Sequence, residues 1–120
     1  MKKLIAILMM GMIAPAFATG TWTAVTVTHV WGCTLQQCTG GTGNATNQVQ
    51  VQFSANATGT TACRNSGYNA WAVVDVSNAS GAFTASQLES AFLSGATVTV
   101  YGVGSCNIFT GIETVGFVQQ

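Results

Sequence analysis

The chain opens with an export signal and carries all of its cysteines downstream of it, a combination that limits the fold more than any other feature. Lys2 and Lys3 form a positive start, Leu4 to Met12 an apolar run, and Ala16-Phe17-Ala18 a small-x-small cleavage site. Those three parts in that order describe a secretory signal peptide, too short and wrongly flanked for a membrane span. Cleavage after Ala18 would remove residues 1–18 and leave one domain, residues 19–120. The Met-Lys-Lys start is of bacterial type, so the mature protein is expected in the periplasm or outside the cell, with no membrane insertion after cleavage.

A domain of about 100 residues buries only some 60–70% of its unfolded surface, which makes covalent staples valuable. Cys33, Cys38, Cys63 and Cys106 are even in number and lie in an exported chain, so two disulfides are expected. Four cysteines allow three pairings, and their spacing does not choose between them. A Cys33–Cys38 bridge would pinch one loop and contribute roughly 2 kcal/mol of loop entropy, whereas a Cys63–Cys106 bridge would tie distant segments and contribute about 4.

The apolar pattern between the cysteines is mostly that of strands. Thr21 to Trp31 is rich in Thr, Val and Trp, and a two-residue repeat sets Val25, Val27, His29 and Trp31 on one face. Cys33 to Asn47 is turn-forming, with Gly40, Gly41 and Gly43. Gln48 to Phe53 alternates strictly, with Val49, Val51 and Phe53 inward and Gln48, Gln50 and Gln52 outward in water. After a polar connection holding Cys63, Ala70 to Val76 makes a third strand, with Trp71 expected in the core.

A helix follows, with Thr84 as cap, Gln87 completing a capping box and Phe83 packing on Leu88 as a hydrophobic staple. It runs three turns at most, sets Leu88, Ala91 and Phe92 on one face, and stops at Gly95. Ala96 to Val103 and Glu113 to Val118 supply two more strands. The order β-β-β-α-β-β, all-β with one short helix, is that of the five-stranded OB barrel.

Charge excludes several functions. Beyond the leader, Arg64 is the sole Lys or Arg against Asp75, Glu89 and Glu113, a formal charge of −2. Nucleic acid and anionic lipid both call for several cations. Titratable groups are too scarce and scattered for general acid/base work, and no G-x-S-x-G elbow backs His29 and Asp75 with a serine, so the chain reads as no enzyme. His29, Cys33 and Cys38 would make three metal ligands, but C-x4-C without a second close pair is not a usual zinc spacing, and no C-x-x-C redox motif is present. Gly102-x-Gly104 leads into Cys106 and not into a helix, unlike a phosphate loop. No metal or cofactor is expected. Asp75, on the face opposite Val74 and Val76, is expected to end its strand by accepting from nearby amides. The sequons at Asn44, Asn56 and Asn78 mark surface segments of an Asn/Thr-rich chain.

A surface of Thr, Ser, Asn and Gln suits neutral partners such as sugars or another protein. Sugar stacking wants an exposed ring beside neutral hydrogen-bonding groups. Trp31 and Tyr68, both next to loops, are the first candidates; Trp22, at the start of its strand, is the third.

The second half of the mature chain resembles a known family. An apolar strand ending in Asp75, a helix with Leu88 and Ala91, Gly95-Ala96-Thr97-Val98-Thr99-Val100, Gly102-Val103-Gly104-Ser105-Cys106 and Glu113-Thr114-Val115 are together similar to the subtilase cytotoxin B-subunit-like proteins, small exported bacterial domains. That resemblance implies an OB fold with a Cys63–Cys106 disulfide. It also implies binding of a glycan or cell-surface receptor, a homo-pentameric ring and a catalytic A subunit as partner. Other relatives are lone envelope or secreted proteins, which leaves a protein-binding inhibitor or assembly component as the alternative. The toxin subunits hold sialylated glycans with a serine near the start of the first strand. Here that stretch is Thr21-Trp22-Thr23-Ala24-Val25, so sialic-acid recognition is not implied.

Overall fold

A computed structural model describes residues 19–34, 47–59 and 61–120; the leader and the Cys33–Cys38 pairing lie outside the described residues and side chains. The described chain is β-rich: β1 (Thr21–Thr34), β2 (Asn47–Phe53), β3 (Trp71–Asp75), helix α1 (Ala79–Ser94), β4 (Thr97–Gly102) and β5 (Glu113–Gln119). The strands close into a ring in the order β1-β2-β3-β5-β4. All neighbours are antiparallel except β3 and β5, which run parallel through Ala72↔Glu113 and Val73↔Thr114. Closure works because β1 is long: its first half pairs with β4 and its second half with β2.

The barrel interior follows the alternation of the sequence. Trp22, Val25, Val27, Val51, Phe53, Ala72, Val74, Val98, Val100 and Val115 fill it, and Ala85, Leu88 and Ala91 of α1 pack against the same cluster. Two bulges in β1 adjust which residues reach this core. Between Trp22 and Val25 two residues oppose one on β4, so that both Trp22 and Val25 face inward; Ala24 takes a positive φ of 49° to allow it. Between Val27↔Phe53 and His29↔Gln52 a second bulge inserts Thr28, whose hydroxyl donates to the Gln52 carbonyl at 3.1 Å. That extra residue reverses the alternation, so the expectation that Val25, Val27, His29 and Trp31 share a face is corrected. The two valines are core, and His29 and Trp31 are exposed on the outside.

The helix begins earlier and runs longer than its sequence signals suggested. Asn78 is the N-cap, accepting from the Gly81 amide at 2.8 Å, and sixteen residues follow. Thr84 lies inside the helix, its hydroxyl donating to the Ser80 carbonyl, so it caps nothing. Phe83 is 65% exposed and forms no staple. An Asn-initiated start wins here because Gly81 lets the first turn lie against the end of β3, where any side chain would strike the Asp75 carbonyl. Gly95 ends the helix in the left-handed region at φ 71°, as its position suggested.

Candidate binding face

The outer face of β1, β2 and β3 carries a row of aromatic rings. Register puts His29, Gln52 and Trp71 on one rung and Trp31, Gln50 and Val73 on the next. His29 and Trp31 stack with centroids 5.1 Å apart and planes 9° from parallel. Trp31 and Trp71, on the strands flanking β2, stack at 4.8 Å and 13°. Tyr68 meets Trp71 edge-on at 6.0 Å. Aromatic planes in contact sit roughly 3.5 Å apart, so centroids near 5 Å mean rings that are offset and not face to face. Trp31 is 39% exposed, His29 is exposed, and Tyr68 and Trp71 are half-buried.

Beneath the rings runs the amide ridge of β2. Gln48 and Gln50 are buried and Gln52 is half-buried, so this strand's outer face is covered rather than wet. Trp31 and Trp71 meet across it, and the Gln50 side-chain N–H donates a hydrogen bond to the Gln48 side-chain oxygen at 3.4 Å. A second small cluster, Val73 with Phe109 and Ile112, supports the row from the β3 side, with Tyr68, Trp71 and Ile108 packed on it. Asp75 closes the far end, its carboxylate accepting from the Ser77 amide at 2.9 Å and the Ser77 hydroxyl at 2.5 Å, the strand-ending role expected of it.

Of the three ring candidates, Trp31 and Tyr68 are brought together in this row. Trp22 is not: it is fully buried, 5.1 Å from the Phe53 ring, with its indole N–H donating to the Asn69 carbonyl. The bulge at Ala24 turns it inward. Trp71, expected in the core, is half-buried on the outer face instead. Its position was legible, since Trp71 shares the parity of Asp75, which had been placed outside.

The structure also contains a buried charge knot that single-residue reading missed. Glu113 is fully buried, and its carboxylate accepts from the Gly20 amide at 3.0 and 3.1 Å, the Thr61 hydroxyl at 2.6 Å, the Gly104 amide at 3.1 Å and the Arg64 guanidinium at 3.1 Å. The Arg64 side chain is 4% exposed, and its second amino group donates to the Gly59 carbonyl. This one carboxylate therefore ties the start of β1, the β2–β3 connection and the exit of β4 to β5. Glycine is required at 102, where a Cβ would collide with the Glu113 carboxylate. The disulfide Cys63–Cys106, Cα atoms 5.8 Å apart, joins the same two connections. It fits an oxidising compartment outside the cytoplasm.

Among the described residues no group of three or more His, Cys, Asp or Glu stands together as a metal set, and no helix is long and apolar enough to cross a membrane. No family model, curated protein or solved structure matches the chain.

Proposed function

We propose that this protein is a secreted, non-catalytic binding module that recognises glycan through the outer face of β1–β3, on an OB-type barrel. The observation that carries the reading is the pre-stacked row His29, Trp31, Trp71 and Tyr68 beside the glutamines of β2. Offset indoles suit C–H contacts, and the half-buried Gln52 amide and the exposed Thr28 beside them supply neutral donors and acceptors for sugar hydroxyls. The ring order and the parallel β3–β5 pair suit an OB barrel, and the face around its second and third strands is where such barrels take oligosaccharides and oligonucleotides. The resemblance to toxin B subunits adds a ring oligomer, with a catalytic subunit as partner, to what the module would assemble into. A glycan array probed with the wild type and with W31A and W71A tests the reading. Signal lost in both variants supports it, and an array silent to the wild type refutes it.

A second reading, a lone envelope protein that binds another protein, draws on a different surface. Val30, Val49, Ala85, Phe92 and Leu93 line a cleft of about 320 Å³ between α1 and the β1–β2 pair, and Phe92 and Leu93 are exposed. Apolar side chains in water beside a cleft suit a protein partner more than a sugar.

A further inference from the structure

We infer that the glycan taken by the aromatic row is uncharged: a neutral oligosaccharide, not a sialylated, sulfated or phosphorylated one. This rests on the glycan reading above and goes further, to the class of ligand. A cation beside the site is the strongest hold on the carboxylate or sulfate of an acidic sugar; without one, neutral donors alone must offset the loss of its hydration. Residues 19–120 hold a single Lys or Arg, Arg64, and the structure shows where its charge is spent. Its guanidinium lies 3.1 Å from the Glu113 carboxylate and 2.9 Å from the Gly59 carbonyl, almost wholly out of water. Swinging it out toward a ligand would leave the buried Glu113 without its counter-charge. The connection between β1 and β2, Leu35 to Thr46, adds neither Lys nor Arg by sequence.

The face itself carries the opposite bias. Its outward residues are His29 and Trp31 on β1, Gln48, Gln50 and Gln52 on β2, and Trp71, Val73 and Asp75 on β3. The fixed formal charge among these is the carboxylate of Asp75, which repels an acidic sugar and accepts from the hydroxyls of a neutral one. The rings follow one another at centroid steps of 5.1, 4.8 and 6.0 Å across two strands and the turn before β3. A row of that kind matches several sugar units of a chain better than a single residue at its tip.

The test uses the full chain, exported with its own leader and purified in oxidised form. Binding is measured by calorimetry to uncharged hexose and N-acetylhexosamine oligosaccharides, and to the same cores bearing sialic acid or sulfate, at low and high salt. The expected result is tightest binding to an uncharged chain, insensitive to salt and weakened about tenfold or more by W31A, with several-fold loss when the same core is made acidic. W31A removes a ring from outside the barrel core, and near-ultraviolet circular dichroism checks that the fold survives. Preference for an acidic core, falling as salt rises, overturns neutrality and leaves the glycan reading standing. Failure of every oligosaccharide to bind overturns the glycan reading and neutrality with it.

Discussion

Replacing Glu113 with Gln should be the most damaging conservative change available to this domain. The substitution keeps the shape of the side chain but removes the charge that three neutral donor groups and one buried guanidinium face. Arg64, 4% exposed, is then a buried cation without its partner. Breaking a buried ion pair from one side costs about 3–5 kcal/mol, because the remaining charge keeps its desolvation penalty. A domain near 100 residues has about 5–15 kcal/mol in total. At roughly 4–8 °C per kcal/mol, the melting temperature should fall by about 12 °C or more. Urea unfolding of the oxidised wild type and of E113Q, R64M and the double variant separates the terms. E113Q is expected to lose at least about 3 kcal/mol, and the double variant to recover about 2 of them, since an apolar Met leaves no buried charge behind. A loss below about 1 kcal/mol would mean that the pair behaves as a solvent-screened surface bridge, and the buried-knot account would be wrong. A double variant no better than E113Q would refute it equally.

Three further outcomes are expected. Replacing Cys63 and Cys106 with Ala should cost about 4 kcal/mol, the loop entropy of a closure spanning 43 residues, read as a lower urea midpoint than the oxidised wild type. A24G should stabilise by about 0.5–1 kcal/mol, because relief of the left-handed φ at an exposed Ala outweighs the extra freedom glycine gives the unfolded chain; a loss of stability on thermal melting would refute that. W31F should abolish an exciton couplet in the circular dichroism from the Trp31–Trp71 stack while leaving unfolding cooperative, and an unchanged couplet would place the two indoles apart.

The sequence carried the barrel's framework because its strands are marked by chemistry that acts locally. Alternating Val and Gln in β2, the β-branched runs of β3 and β4 and the glycine after α1 are each set by one strand's or one turn's own needs. What it concealed depends on single insertions and on long-range partners. Trp22 and Trp31 change sides through bulges that no periodicity announces, since a bulge is defined only against the neighbouring strand. Glu113 looked like an ordinary strand-starting residue, because its donors Gly20, Thr61, Arg64 and Gly104 are brought to it by the fold from three separate places. One clue was present: the lone Lys or Arg of residues 19–120 stands beside Cys63, in the very connection that the disulfide fastens to the β4 exit. The start of α1 was misplaced because Thr84 and Asn78 are both competent caps, and the close approach of Gly81 to β3 decides between them.

The extra residue at Thr28 divides one continuous strand into two segments with different duties. Upstream of it, a substitution at Val25 or Val27 acts on the filling of the barrel; downstream, one at His29 or Trp31 acts on the outer surface. On the binding reading proposed above, the rings of the far segment can be exchanged for other side chains while the near segment goes on holding the same interior. One inserted threonine thus sets interior and surface side by side on a single stretch of backbone.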